Sequence, residues 1–356
     1  MKITLRSAEL FDVRLTFRQP MKTALATLSN RRTTILRLTD TEGNIGYGEG
    51  VAFETPWYTA ETQDSIHALA PVLYRLLKGP LNHPSEVATR FHPIQGNQMA
   101  KAMFDGAVYE LFARASNQTL ATYLGGDENK AIACGKALGR AEASKTVHAV
   151  EDALQDGFQR IKLKLDPTDT SVLAHVRKQF PDAPLMFDAN GSFTRSEMNL
   201  LQDWDQYGLI MMEQPFRADD WLTHQYAASL LSTPLCLDES IQTVTDADLM
   251  LSLGAGQIIN IKPARVGGLT NALALRDKAT YWLGGMFESG IGRRQTLAFA
   301  TLPGLAYPID MAGTDHYFAE DLLEVDYRIG NGQIPYAEHE VSLERLDWLT
   351  QSKIVL

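Results

Sequence analysis

Between Ile161 and Ser289 six short apolar runs each end on a charged side chain, and the distance from one charge to the next is nearly constant. The runs close on Lys164, Asp188, Glu213, Asp238, Lys262 and Glu288, at intervals of 24, 25, 25, 24 and 26 residues. A strand of about five residues, a helix of about twelve and two short loops fill such a period, which predicts consecutive parallel strands joined by crossover helices. Six units in succession predict a closed α/β barrel, in which catalytic groups stand at the C-terminal ends of the strands. The six charges then share one mouth. A lone Asp or Glu after a strand is ordinarily a helix N-cap or a solvated loop residue, but six in register are not explained that way.

Three carboxylates in one mouth resist ionising together unless a counter-charge is supplied, because like charges at close range raise one another's pKa. Asp188, Glu213 and Asp238 are hard oxygen donors from three successive strands, with no His or Cys among them. That donor set favours Mg²⁺, with Mn²⁺ as the alternative, over zinc. Lys164 precedes the carboxylates in the strand order and Lys262 follows them, so a circular barrel puts the two ammonium groups on opposite sides of whatever the cation holds. Such an arrangement suits acid–base chemistry on two faces of one carbon. Lys162 and Lys164 share a strand face with Leu163 on the other, so both can reach the mouth.

The segments Lys-x-Lys at 162–164, Asp-Ala-Asn at 188–190, Glu-Gln-Pro at 213–215, Asp-Glu-Ser at 238–240, Asn-Ile-Lys-Pro at 260–263 and Gly-Gly-Met-Phe-Glu-Ser-Gly at 284–290 resemble the enolase superfamily. Lys262 to Leu269, Glu288 to Arg293 and Pro56 to Thr62 are most similar to its subgroup of o-succinylbenzoate synthases and N-acylamino acid racemases, and the likeness runs from about Leu15 to Asn331. The resemblance implies syn dehydration of 2-succinyl-6-hydroxy-2,4-cyclohexadiene-1-carboxylate to o-succinylbenzoate, a step of menaquinone synthesis, through an enediolate. Racemisation of N-acylamino (N-succinylamino) acids is the alternative, as main or side activity. It selects Lys164 as the base, gives Lys262 the opposite face, and leaves Lys162 as a supporting charge. Asn190, Glu239 and Arg265 are expected to bind substrate or support the ligands, with Glu239 holding Lys262 or a neighbouring ligand. Glu288, Ser289, Gly290 and Ile291 resemble the family's substrate-contacting segment. The implied cofactor is Mg²⁺ with no organic group, and the implied partner is a small anionic carboxylate.

At 356 residues the chain exceeds one barrel of about 250 residues and leaves room for a second unit. The expected fold is α/β: a (β/α)7β TIM-like barrel with an α+β N-terminal capping domain completed by the C-terminal segment. The boundaries fall at 1–126 for the cap, 127–320 for the barrel and 321–356 for the segment that packs back on the cap. No apolar run approaches the 18 or more residues of a membrane span, and Met1 to Arg6 carry no signal-peptide core, so a cytoplasmic protein is expected. Two cysteines, Cys134 and Cys236, lie in apolar runs and read as packing residues. A net charge of −10 without a Lys/Arg run argues against nucleic acid. Composition leaves a homo-oligomer open.

Along the chain, residues 1–50 alternate as antiparallel strands, interrupted by a long loop at Arg18 to Ala24 that in the resembling family folds over the mouth. Helices are expected over Ala60 to Leu77 and Met99 to Ala115, the second with a core stripe of Met103, Phe104, Ala107, Val108, Leu111, Phe112 and Ala115. The barrel is expected to open with a strand over Ala131 to Leu138, to include a strand over Leu209 to Glu213 and a seventh ending near Glu288, and to close with an eighth near Asp310. Only 15 residues separate Gly268 from Gly284, which predicts a clipped helix or a short seventh strand. The eight histidines lie away from the strand-end carboxylates, which disfavours a two-metal hydrolase, and two lysines do not suit a glycosidase.

Overall fold

The computed structural model describes residues 1–22 and 27–356. The chain begins with three long antiparallel strands, β1 (Leu5–Lys22), β2 (Thr27–Asp40) and β3 (Ile45–Gly50). Four helices follow: α1 (Gln63–Leu76), α2 (Glu86–Arg90), α3 (Gln98–Ala115) and α4 (Leu120–Leu124). The sequence stripe on α3 is buried from Met103 to Phe112, and the helix is buried almost all round because it lies between sheet and barrel. It can approach so closely because β3 offers glycines. A Cβ on Gly48 would stand 1.8 Å from the Met103 carbonyl oxygen, so any side chain there would push the helix off the sheet.

After β4 (Ala131–Ala133) the βα units run as β5 (Lys136–Leu138), α5 (Ala143–Gln155), β6 (Ile161–Lys164), α6 (Val172–Gln179), β7 (Leu185–Asp188) and α7 (Met198–Asp205). They continue as β8 (Met212–Glu213), α8 (Trp221–Leu230), β9 (Leu235–Leu237), α9 (Val244–Leu253), β10 (Ile258–Ile261), α10 (Leu269–Arg276) and β11 (Thr280–Leu283). Strands β5 to β11 form one parallel sheet in sequence order, as the constant period requires. Then come α11 (Gly290–Ala300), α12 (Thr314–Tyr317), β12 (Gln333–Pro335), α13 (Leu343–Leu349) and β13 (Thr350–Val355). β13 pairs antiparallel with β1 and extends the N-terminal sheet, whereas β12 pairs with β4 beside the barrel. The whole is a (β/α)7β TIM-like barrel with an α+β cap that includes the C-terminal strand.

Several boundaries differ from the sequence expectation. The strand expected over Ala131 to Leu138 is two strands, because Cys134 donates its N–H to Gly332 O and Gly135 donates to Ile309 O, which turns the chain between them. The strand expected from Leu209 shrinks to Met212 and Glu213. The seventh strand ends at Leu283 rather than near Glu288: α10 is clipped to eight residues, and all four residues of β11 still pair with β10. The eighth strand is reduced to a bridge between Ile309 and Cys134. Ile309 N donates to Ala133 O (2.9 Å) and Asp310 N to Leu283 O (2.8 Å), so this segment still joins the two ends of the sheet. Of the loop expected over Arg18 to Ala24, Arg18 to Lys22 continue β1, while Thr23 and Ala24 lie outside the described residues.

Side chains pointing into the barrel are stacked by the two-residue period of its strands. The lower level is an apolar plug of Met186, Met211, Cys236, Ile258 and Trp282. Both cysteines are free and buried. Among the described residues no helix is long and apolar enough to cross a membrane.

The cap is fixed to the barrel by buried carboxylates that reach across. Glu49 accepts from Ser289 N (2.9 Å), Ser289 Oγ (2.7 Å) and Gly292 N (3.0 Å) at the start of α11. Glu110 takes a two-pronged hydrogen bond from Arg294 on α11. Asp105 accepts from Thr270 Oγ1 (2.6 Å) and Thr270 N (3.1 Å) at the start of α10. Burial pushes the Asp105 carboxyl from 3.8 up to about 7, against the pull of the Thr270 hydrogen bonds. In the unfolded chain the same carboxyl ionises near its ordinary value, so the folded protein holds the extra proton and loses stability as pH rises from about 4 to about 7. Asp105→Asn should flatten the fall of Tm between pH 5 and pH 7 measured by thermal denaturation; parallel curves for the two proteins would contradict this.

Candidate active site

The sheet order β6, β7, β8, β9, β10 places the three carboxylate strands between the two lysine strands. Register brings Lys164 opposite Asp188 and Asp188 opposite Glu213. Lys164 Nζ donates to Asp188 Oδ2 (2.5 Å) and to Asn190 Oδ1 (2.6 Å). Asn190 Nδ2 then donates to Glu239 Oε1 (2.9 Å), so Glu239 serves Asn190 rather than Lys262. On the far side Lys262 Nζ donates to Asp238 Oδ2 (2.8 Å), and Arg265 holds Asp238 Oδ1. The Arg265 Nη2 also donates to Ile241 O (3.1 Å) and Asn260 O (3.0 Å), which fixes its guanidinium beneath the mouth.

Glu213 stands between these two clusters. Its Oε1 accepts from Asn260 Nδ2 (2.7 Å), while its Oε2 is buried with no hydrogen-bond partner. Burial, reinforced by Asp188, pushes its carboxyl up to about 8, although Lys162 pulls the other way. Burial and then Asp238 push Glu239 up to about 7. Asp188 and Asp238 are instead held below the ordinary carboxylate range: burial opposes this, but Lys164 and Lys162 act on the first and Arg265 and Lys262 on the second. Asp188 and Asp238 thus each have two cations within reach, whereas Glu213 has Lys162 alone at 3.3 Å.

Hard oxygens on three adjacent strands fit a hard divalent cation, the more so because Glu213 Oε2 on the middle one has no hydrogen-bond partner and only the Lys162 ammonium at 3.3 Å. Among the described residues no three Asp, Glu, His or Cys side chains already converge as a ligand cage. The reason is visible in the contacts, since the Asp188 and Asp238 oxygens are turned toward Lys164, Lys262 and Arg265.

The segment Glu288 to Ile291 leads into α11. Glu288 is buried, with Oε1 lacking a hydrogen-bond partner. Ser289 and Gly290 spend their polar groups on Glu49 and Asp321, and Ile291 is in the core. Of the four, Ser289 ties the cap to the barrel through Glu49.

Sequence reasoning missed Asp310, Tyr58, Asn260 and Gln214. Asp310 forms an ion pair with Lys162, whose Nζ also lies 3.3 Å from both Asp188 Oδ2 and Glu213 Oε2. The signal for it was present: Asp310 follows Glu288 by 22 residues, one more unit of the period. Tyr58 reaches in from the cap, its hydroxyl accepting from Lys262 Nζ (2.8 Å) and Arg265 Nη1 (3.0 Å). No periodicity foretells that contact. Gln214 accepts from Asp238 N (2.9 Å) and Ser240 N (3.2 Å) and donates to Phe216 O (2.9 Å) and Ser240 Oγ (2.8 Å).

Positive φ values at Asn190 (45°), Gln214 (38°) and Phe287 (56°) mark the same rim, where ordinary side chains are held in a strained region beside strand-end carboxylates. A cavity of about 400 Å³ adjoins the rim, lined in part by Lys136, Ala137, Phe158, Asp310, His316 and Tyr317.

A strand-end barrel site of paired lysines and adjacent carboxylates defines a class, and comparison with known proteins agrees. The sequence profile described as "Enolase C-terminal domain-like" matches residues 145–339, and that of the mandelate racemase / muconate lactonizing enzyme N-terminal domain matches residues 5–125. The chain belongs to the enolase superfamily. It is 39% identical over 340 residues to o-succinylbenzoate synthase of Bacillus subtilis (strain 168), covering 93% of this chain and 91% of that protein. It is 36% identical to N-succinylamino acid racemase of Thermus thermophilus, covering 94% and 92%. The solved structure of an enolase-superfamily protein from Enterococcus faecalis V583 superimposes with a TM-score of 0.95 over 100% of both chains at 34% identity.

Gln214→Ala would orphan two buried N–H groups at once and should cost about 2–4 kcal/mol in urea unfolding. A loss under about 0.5 kcal/mol, the usual range of a surface substitution, would contradict the role given to it.

Proposed function

We propose that this protein is an o-succinylbenzoate synthase, a Mg²⁺-dependent hydro-lyase that removes water from 2-succinyl-6-hydroxy-2,4-cyclohexadiene-1-carboxylate in menaquinone biosynthesis. The observation that carries the reading is the sheet order, with Lys164 and Lys262 on the strands that flank the Asp188, Glu213 and Asp238 strands. The relatives named o-succinylbenzoate synthase, at 34–39% identity over most of the chain, support it. The two buried free thiols suit a reducing, cytoplasmic compartment. Residues 1–126 and 321–356 serve as cap and 127–320 as catalytic barrel in this reading.

Asp188, Glu213 and Asp238 are the residues that would hold the cation, which when bound supplies positive charge to the substrate carboxylate as negative charge develops there. Lys164 removes the proton from the carbon next to that carboxylate and returns it to the departing hydroxyl, since a syn elimination needs one group acting twice on one face. The C–H and C–O bonds break, and one water leaves. Lys262 stands on the other face as a fixed positive charge; burial works against its ammonium, but Asp238 holds its pKa well above the usual range. Lys162 supports from below, and Asn190 and Glu239 orient Lys164 through the hydrogen-bond chain already described. Arg265 and Tyr58 orient Lys262. Glu288 to Ile291 complete the wall of the substrate region, and Ser289 ties the cap to it through Glu49.

A second reading, racemisation of N-succinylamino acids, is favoured by the same two-faced pair of lysines and by the relatives from Thermus thermophilus and Amycolatopsis sp that carry that name. In it the lysines act in turn on opposite faces. Comparing kcat/KM on both substrates decides between them; dehydration should be the more efficient, and a racemase value far above it would reverse the order.

Glu213→Gln should abolish turnover at ordinary Mg²⁺ concentrations, and full activity in that variant or in thoroughly chelated enzyme would refute the cation assignment. Lys164→Ala should stop dehydration. Lys262→Arg keeps the charge but does not give up a proton, so it should retain more dehydratase than racemase activity. A Lys164→Ala enzyme that dehydrates at the wild-type rate while Lys262→Ala is dead would put the base on the wrong side of the barrel.

A further inference from the structure

Lys162 occupies an awkward position for a site that must take a cation. Its Nζ stands 3.3 Å from Asp188 Oδ2 and 3.3 Å from Glu213 Oε2, between two of the three carboxylates. An ammonium there competes with a divalent ion for the same oxygens. Its closest partner is neither of them. Lys162 makes its shortest contact with Asp310 Oδ2, across the closing seam of the barrel.

Asp310 is well anchored for this task. Its own N–H donates to Leu283 O (2.8 Å), and the preceding Ile309 is tied to Ala133 and Gly135 on the other side of the seam. Its Oδ1 lies 3.5 Å from Arg160 Nη2. Arg160 is itself fully buried, donates from Nε to Pro308 O (2.9 Å), and lies 4.4 Å over the Trp282 ring. The Trp282 ring also stands 5.3 Å from Lys162 Nζ, a floor that prevents the ammonium from sinking into the apolar plug. Lys162 therefore has two directions open: toward Asp310, or up toward Asp188 and Glu213.

We propose that Asp310 is a positioning residue that draws Lys162 away from Asp188 and Glu213 and so sets the site's affinity for a divalent cation. The proposal rests on the reading that those carboxylates bind such a cation. Without the Asp310 charge, Lys162 closes onto the Glu213 and Asp188 oxygens, and the site gains one uncompensated positive charge next to its ligands. Both effects oppose the incoming cation in the same direction. Asp310 acts on the ligand carboxylates through Lys162, which separates this role from a purely structural one.

The test is calorimetric titration of chelator-treated protein with MgCl₂, with no substrate present, on wild type, Asp310→Asn, Lys162→Met and the double variant. Asp310→Asn should weaken Mg²⁺ binding by about 10–100-fold, the usual cost of losing a residue that supports a metal ligand. Lys162→Met should bind at least as tightly as wild type, and in that background Asp310→Asn should change affinity by less than about threefold. Asp310→Glu, which keeps the charge, should recover part of the loss. An Asp310→Asn protein within about twofold of wild type overturns the proposal, and so does an undiminished loss in the double variant. Should Asp310→Asn alone not fold, shown by its far-UV circular dichroism, the comparison of Lys162→Met with the double variant and with wild type still decides. Wild type that shows no saturable Mg²⁺ binding overturns the cation reading itself, whereas tight wild-type binding with an unaltered Asp310→Asn overturns only the role of Asp310.

Discussion

The structure depends on burying a layer of opposed charges inside the barrel. Arg160, Lys162, Lys164, Lys262 and Arg265 face Asp188, Glu213, Asp238, Glu239 and Asp310, and most of these side chains are withdrawn from water. Burying any one alone would cost several kcal/mol, so the layer persists because its members are interlocked. The apolar plug of Met186, Met211, Cys236, Ile258 and Trp282 beneath it excludes water from below, and the cap covers part of it from above. In so dry a place each charge acts strongly on its neighbours, which is what carbon-acid chemistry requires of a site.

The cap contributes to that layer rather than merely shielding it. Tyr58 reaches Lys262 and Arg265 from a loop after β3, and Glu49, Asp105 and Glu110 fasten the cap onto α10 and α11. Because the fastening groups are buried carboxylates with specific donors, their value lies in fixing one orientation of cap on barrel. A shift of that orientation would move Tyr58 and, through it, Lys262.

Much of this was legible in the sequence because the barrel's period writes itself as regularly spaced apolar runs. Asp188, Glu213 and Asp238 could be placed on neighbouring strands, and Lys164 and Lys262 on either side, from spacing alone. What escaped was whatever depends on contacts distant in sequence. Glu239 could be paired with either neighbour by order, but its hydrogen bond to Asn190 follows from loop geometry at a residue with φ of 45°. Within the segment Glu288 to Ile291, the contact of Ser289 with Glu49, 240 residues away, could not be read from the sequence. Ala131 to Leu138 read as one strand because the run is largely apolar, whereas the chain changes hydrogen-bond partners between Cys134 and Gly135. Asp310 could be placed at the end of the eighth strand, but its ion pair with Lys162 across the closing seam is a contact distant in sequence.

The central claim is that three strand-end carboxylates converge on one cation between two lysines that face each other across it. Anomalous scattering from crystals soaked in MnCl₂ tests it most directly. The account predicts a single strong peak about 2.1–2.3 Å from oxygens of Asp188, Glu213 and Asp238, with Lys164 and Lys262 on opposite sides of it. A peak bound elsewhere, or both ammonium groups on the same side of the ion, would contradict it.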